Sequence, residues 1–267
     1  MSYGIKAAER ISGKTVFITG ASSGIGMATA LELAAAANGR IRLILAARRE
    51  ERLLDLKSKL EQTHPGIDVL AFKMDVSKYQ DIAKSVDSLP KEWSDIDVLV
   101  NNAGLVFGRE KVGELALPDV ETMFFTNVLG LFALTNHLVP RFRQKGSGDI
   151  VMLGSIAGRD AYPEGSIYCA TKASLRSFSH SLRKETINTG IRVIEVDPGA
   201  VETEFSIVRF RGDKEQADAT YKGTTPLVAE DIAEIITFAL TRRANTVIAE
   251  TLVFPNHQAS ARDVHRS

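Results

Sequence analysis

The stretch Val16-Phe-Ile-Thr-Gly-Ala-Ser-Ser-Gly-Ile-Gly26 passes from an apolar, β-branched run into three glycines and on into an Ala- and Leu-rich segment. The run Thr15–Thr19 has the composition of a buried strand, and Gly24–Asn38 that of a helix. Between them, Gly20, Gly24 and Gly26 permit a tight turn, close approach of a pyrophosphate and close helix–strand packing. The spacing is Gly-x-x-x-Gly-x-Gly, not Gly-x-Gly-x-x-Gly. Free N–H groups at the start of the helix would face an anion, with Ser22, Ser23 and Ile25 in the same turn. Such a turn also serves as plain chain reversal. Its place between the first strand and first helix favours nucleotide binding.

Outward from this point the same alternation repeats. Strand patterns at 41–46, 69–74, 96–100, 149–153, 192–196 and 246–254 are separated by helical patterns at 50–62, 79–89, 119–143, 166–189 and 231–241. Apolar strands alternating with helices predict an α/β fold, a doubly wound parallel sheet with helices on both faces. No repeat, low-complexity segment or Pro/Gly-rich linker divides the chain, so residues 1–267 read as one domain. The segment 201–226 breaks the alternation with a polar, charged excursion after a strand. Long excursions of this kind are commonly functional, and it reads as a lid over a substrate site.

The end of the second strand should meet the adenine ribose, where an acidic residue marks NAD. Here it reads Leu45-Ala-Ala-Arg-Arg49. Ala47 takes the acidic place, and the planar forks of Arg48 and Arg49 suit the 2′-phosphate of NADP(H). Two cations at a helix N-terminus also oppose its dipole, which weighs against a purely solvating role. Asp75 and Val76 follow the third strand and are expected at the adenine. Asn101-Asn102-Ala103-Gly104 ends the fourth, where small residues let the backbone approach a ribose.

Tyr168 and Lys172 lie four residues apart in Tyr-Cys-Ala-Thr-Lys, one helical turn, with Ser155 upstream in Leu-Gly-Ser-Ile-Ala-Gly. A phenol of pKa about 10 is a poor acid–base group at neutral pH, and a fixed cation beside it favours the phenolate. Bringing it to about 7 needs roughly 4 kcal/mol. A serine hydroxyl could bond a substrate carbonyl. Such a trio moves a proton to or from an alcohol oxygen but needs a separate hydride acceptor, which the glycine turn would supply. By spacing alone, the pair also fits a half-buried tyrosine beside a snorkelling lysine.

Composition limits the alternatives. The chain holds 33 basic and 33 acidic residues, a net charge of zero, so nucleic acid and acidic membranes are not expected partners. The sole cysteine, Cys169, excludes an internal disulfide and a cysteine-rich metal site. The five histidines show no metal spacing, so no metal is expected. No apolar leader opens the chain, and no window approaches the about 18 apolar residues of a membrane span. The cytoplasm is the expected compartment.

In their order, Thr19-Gly20-x-x-x-Gly24-x-Gly26, Asn101-Asn-Ala-Gly104, Asn127, Ser155, Tyr168-x-x-x-Lys172 and Pro198-Gly199 resemble the short-chain dehydrogenase/reductase family, from about Lys14 to Phe254. The segments 154–172, 201–206, 6–10 and 245–255 look similar to its NADP-dependent 3-hydroxy acid dehydrogenases, of serine or L-allo-threonine dehydrogenase type. The resemblance implies a Rossmann-type sheet of about seven strands in the order 3-2-1-4-5-6-7, and a homotetramer with an interface on the helices at 119–143 and 166–189. It implies Tyr168 as general acid/base and Lys172 as holder of the nicotinamide ribose, lowering the tyrosine pKa. Ser155 would orient the substrate oxygen, and Asn127 would anchor a water relaying protons. Pro198, Gly199, Val201 and Thr203 would border the nicotinamide. The expected reaction is hydride transfer between NADP and the secondary alcohol of small 3-hydroxy acids, with ketones and aldehydes reduced in reverse. A carbonyl reductase without acid preference is the nearest alternative, and a catalytically idle NADPH-binding regulator another. A substrate carboxylate needs a cation, for which Arg159, Arg209 and Arg211 are the candidates.

Overall fold

The computed structural model describes residues 3–267. Its centre is one seven-stranded, wholly parallel sheet in the order β3-β2-β1-β4-β5-β6-β7. The strands are β1 (Thr15–Thr19), β2 (Arg42–Ala47), β3 (Asp68–Lys73), β4 (Val98–Asn101), β5 (Gly148–Leu153), β6 (Ile191–Pro198) and β7 (Glu250–Val253). The order expected from the family resemblance is the one observed.

The strand residues explain the two-faced packing. Side chains alternate across a strand, so Val16 and Ile18 enter one core layer and Phe17 the other. Leu43 and Leu45 part from Ile44 in the same way, and Val98 and Val100 from Leu99. The first layer is closed by α2 (Gly24–Ala36), α3 (Glu50–Thr63) and α10 (Ala229–Leu240), through Leu33, Leu53, Leu60, Ile232 and Ile236. The second is closed by α4 (Ile82–Asp87), α6 (Gly130–Lys145) and α7 (Ser166–Glu185), through Ile82, Leu134, Leu138 and Leu175. The strand order reverses between β1 and β4, which opens a crevice at the carboxyl ends of those strands.

Four elements depart from the sequence expectation. A helix α1 (Tyr3–Ile11) precedes β1, buries Ile11, and is tied to the end of α10 by Arg10 Nη1 donating to Thr241 O at 2.9 Å. The helix expected at 119–143 is α5 (Leu117–Phe124) and α6, joined by a π turn at Phe125–Leu129. The strand expected at 246–254 forms only from Glu250, because Thr246 O is taken by the Arg192 guanidinium at 3.2 Å. The helix expected to reach residue 189 ends at Glu185, and Thr186 and Thr189 form turns. The membrane reading also needs correction. The continuous helix Leu117–Lys145 is long and apolar enough to cross a membrane by length and composition, with mean hydropathy 1.3. Here it lies along the sheet, with 56% of its apolar window buried.

Candidate active site

A cavity of about 860 Å³ occupies the crevice at the carboxyl ends of the strands, within the about 300–1,000 Å³ usual for small-molecule sites. Its floor begins at the glycine turn. Gly20 and Gly24 have φ of +67° and +53°, which side-chain-bearing residues adopt at a cost. Gly26 is fixed by space: a Cβ there would lie 2.5 Å from Gly20 O and 2.5 Å from Asn102 Nδ2. Ser23, the residue before α2, is extended and makes no side-chain cap, so the first-turn N–H groups keep the free donors an anion would meet.

Thr19 and Asn102 hold this turn against β4. The Thr19 hydroxyl accepts the N–H groups of Asn102 and Ala103, both at 3.0 Å, and donates to Val100 O. Asn102 Nδ2 donates to Thr19 O at 2.8 Å. Gly20, Ser22, Ser23, Gly24, Ile25, Asp75, Val76, Asn102, Ala103 and Gly104 all line the cavity. One Asp75 oxygen is occupied by Ser77 N–H and hydroxyl at 3.0 and 2.7 Å.

At the rim, Ala47 is buried and Arg48 and Arg49 line the cavity. Arg49 is the anchored one of the two. It donates to Ser22 Oγ at 3.0 and 3.1 Å, to Ser23 Oγ at 2.7 Å and to Glu204 at 2.9 Å. Arg52 joins the same Glu204 at 2.6 Å. Partial burial works against ionisation of Glu204, but the hydrogen bonds from Arg52 and Arg49 hold its carboxyl below the usual range. Both arginines were expected from the sequence; the structure bridges Arg49 to the 201–226 segment through Glu204, an acid the sequence did not mark. These cations and the glycine cradle fit a dinucleotide with a 2′-phosphate. Arg48→Ala and Arg49→Ala are each expected to raise the KM for NADPH about tenfold, since a charged hydrogen bond contributes about 1.5–3 kcal/mol. The KM for NADH should stay almost unchanged. An unaltered NADPH:NADH preference in both variants would remove the arginines from this role.

The catalytic candidates meet on the opposite wall. Ser155 starts the turn after β5; its Oγ accepts Ala157 N–H at 3.1 Å and its own N–H donates to Asp197 Oδ1 at 3.1 Å. Tyr168 and Lys172 lie one turn apart at the start of α7, with Lys172 Nζ 5.8 Å from the Tyr168 ring centre. Lys172 is buried and donates to Leu153 O at 2.7 Å. Burial pushes its pKa down to about 8, against the pull of Asp197 and Glu195. Tyr168 is half-buried on the cavity wall, yet the protein around it pushes its pKa well up. Tyr162 adds to that rise, and the Ser155 hydroxyl and Arg209 oppose it. In the protein alone, burial is the largest influence on the phenol.

Asn127 lies in the π turn under the cavity wall, 1% exposed. Its Oδ1 accepts Leu105 N–H at 2.8 Å, and its Nδ2 donates to Leu105 O at 2.8 Å and Thr171 Oγ1 at 3.2 Å. It therefore clamps the loop after β4 onto α7. A π turn re-aims one side chain relative to a regular helix, and such turns recur at functional sites.

Pro198, Gly199, Val201 and Thr203 border the cavity, with the Thr203 side chain opposite Gly24. Beyond them, α8 (Glu204–Arg209) and α9 (Lys214–Ala219) build the 201–226 segment over the opening. Arg209 lines the cavity and is held by Nε donating to Gly108 O at 3.0 Å. Arg159 does not line it. Its guanidinium is taken by Asp197 and Glu250, both at 2.6 Å, and the expectation that it meets substrate is corrected on that ground. Arg211 pairs with Asp119 away from the cavity. The sequence missed the tail. His257, Gln258, Arg262 and Arg266 form part of the wall, with Gln258 Oε1 accepting Ala200 N–H at 2.8 Å. The tail has no periodicity or motif, so only the return of the chain over the crevice shows it.

A family model described as short chain dehydrogenase matches residues 14–213. The chain is 55% identical over 258 residues to the NADP-dependent 3-hydroxy acid dehydrogenase of Schizosaccharomyces pombe, covering 97% of this chain and 98% of that protein. It is 40% identical over 245 residues to sulfoacetaldehyde reductase 2 of Chromohalobacter salexigens, covering 91% and 95%. The closed form of serine dehydrogenase complexed with NADP+ superimposes with a TM-score of 0.87 at 37% identity, covering 95% of this chain and 100% of that one. With its glycine turn, Ser155, Tyr168 and Lys172 on one cavity, this chain belongs to the short-chain dehydrogenase family.

Proposed function

We propose that this protein is an NADP-dependent oxidoreductase acting on the secondary alcohol of small 3-hydroxy acids, and reducing ketones and aldehydes in reverse. The observation that carries the reading is the convergence of Tyr168, Ser155 and Lys172 on the cavity whose floor is the Gly20–Gly26 turn. Bound NADP(H) supplies the hydride chemistry. The chain's own residues handle the oxygen and the proton. Ser155 orients the substrate oxygen, and Tyr168 takes the alcohol proton or returns it. Lys172 and Asn127 stand behind Tyr168, with Asn127 anchoring a water that carries the proton away. Relatives named for 3-hydroxy acid dehydrogenase and serine 3-dehydrogenase support the substrate class.

Arg209 is the preferred partner for the substrate carboxylate, because it faces the cavity near Tyr168 whereas Arg159 is already paired. Arg209→Gln is expected to raise the KM for a 3-hydroxy acid about tenfold to a hundredfold, and to leave its methyl ester little changed. Equal losses on acid and ester would instead favour a general carbonyl reductase. The apolar Phe205 and Val208 on the same wall make that the second reading.

The segment 201–226 acts in this proposal as a lid on a single domain, latched at the rim through Glu204. A homotetramer in the cytoplasm belongs to the same reading. Its sole cysteine, Cys169, is buried and free. On the helical stretch expected at the interface, Met123 and Val128 are already buried within the chain, and Phe132 stacks on Phe178 at 4.0 Å. Exposed Leu117 and Phe125 on the same helical stretch are left to meet a second copy. Sedimentation of the purified chain tests the tetramer.

A further inference from the structure

Strand β6 carries two acids where a central strand ordinarily carries apolar residues. Glu195 and Asp197 are two positions apart, so they project from one face, and each is 1% exposed. Gly154, just past β5, makes room for them. A Cβ there would fall 1.8 Å from Asp197 Oδ1 and 3.3 Å from Glu195 Oε1.

The two acids differ in their partners. Asp197 accepts the Ser155 N–H on one oxygen and Arg159 Nε, at 2.6 Å, on the other. Neither oxygen of Glu195 meets a donor among the described residues. An ionised carboxylate accepts only, and one buried without a donor against a second carboxylate is unfavourable on both counts. A proton on Glu195 removes both penalties, because the acid O–H then has Asp197, the carboxylate sharing its pocket at Gly154, to donate to. The charged groups facing Glu195 act in the same sense overall. Burial first, then Asp197, push its pKa up to about 8, Glu250 adds to this, and Arg159 opposes it. From α7, Lys172 faces the same pair, and the Asp197 carboxylate favours its charged form.

We infer that Glu195 is a positioning residue for the catalytic serine: its carboxylic acid donates a hydrogen bond to Asp197, and the pair holds the Ser155 backbone and backs Lys172. The inference rests on the roles proposed for Ser155 and Lys172. It is tested first on the cofactor-free protein, where those roles are silent.

The folded state binds the Glu195 proton more tightly than the unfolded chain, whose carboxyl titrates near 4.5. Its contribution to stability is therefore complete below that value and is lost as pH rises toward about 8. Glu195→Gln keeps a neutral donor toward Asp197 and does not titrate. Glu195→Leu keeps the bulk and loses the donor. The wild-type Tm should fall across this range with a component that Glu195→Gln lacks, and the wild-type infrared spectrum should show a protonated carboxyl band at neutral pH that Glu195→Gln removes. In turnover at pH 7, Glu195→Gln should stay within about threefold of wild type and Glu195→Leu should lose about tenfold or more in kcat, the scale set by misplacement of a catalytic group. Identical Tm slopes in wild type and Glu195→Gln, no protonated carboxyl band, or equal damage from Gln and Leu would overturn the inference. Should Ser155→Ala leave turnover intact, the functional reading fails, while the Tm and infrared results still decide the state of Glu195.

Discussion

Tyr168→Phe is expected to lower kcat by about 10²–10⁴-fold, the range that a positioned general acid–base group supplies. Removing the hydroxyl alone leaves the ring beside Phe205, 5.6 Å between centres, so the cavity wall keeps its shape. The lost oxygen faces the Ser155 hydroxyl across the cavity, whereas the Thr171 hydroxyl and the Lys172 ammonium donate to the backbone carbonyls of Tyr168 and Leu153, which the substitution leaves in place. NADPH affinity, measured by fluorescence titration, should therefore stay close to wild type. The effect belongs in kcat because the proton is needed at the transition state rather than in binding. Near-normal turnover in this variant would refute the proposed mechanism, and joint loss of binding and turnover would point to a misfolded site.

Gly26→Ala should nearly abolish NADPH binding through a single methyl group. The added carbon meets Gly20 O and Asn102 Nδ2 at 2.5 Å, distances that real contacts do not tolerate. Neither neighbour is free to retreat. Gly20 sits at φ +67° in the turn, and the Asn102 amide is held by Thr19 O. The turn must open, at an overpacking cost of about 1–3 kcal/mol and a Tm loss of about 2–4 °C per kcal/mol for a chain of this size. The larger consequence is for the ligand: α2 moves away from β1 and its free N–H groups leave the anion position. Wild type should gain several degrees of Tm with saturating NADPH, as binding to the folded state requires. The variant should gain almost none. An undiminished ligand-induced shift would show that the turn is not the phosphate cradle.

Much of the molecule was legible in the chain itself. Continuous apolar strands alternating with amphipathic helices determined a parallel sheet covered on both faces, because a strand buried on both sides is apolar at every position while a covering helix buries one stripe. The glycine turn was readable for a similar reason, since only glycine accepts both the positive φ at Gly20 and the missing space at Gly26. Tyr168 and Lys172 were readable because four residues on a helix make one turn, which holds whatever the tertiary packing.

The tertiary structure decided what depends on distance through space between remote segments. Arg159 and Arg209 look alike in sequence, yet one is consumed by Asp197 and Glu250 while the other faces the cavity. Arg49 became the anchored rim cation only because Ser22, Ser23 and Glu204 arrive from two other parts of the chain. The tail at 257–266 entered the wall without any motif, and the π turn re-aimed Asn127 at Leu105 and Thr171. Glu195 was hidden most completely. A charged residue in a strand pattern reads as an exposed edge, and only the close approach of Gly154, just past β5, to Glu195 and Asp197 on β6 shows it as a buried acid. Local patterns thus determined the strand–helix alternation, the glycine turn and the one-turn spacing of Tyr168 and Lys172, because backbone geometry alone sets those distances. Pairing and burial across the sheet decided the place of Ser155, which arginine faces the cavity and which acid is buried, because those energies depend on which groups meet after the chain has closed.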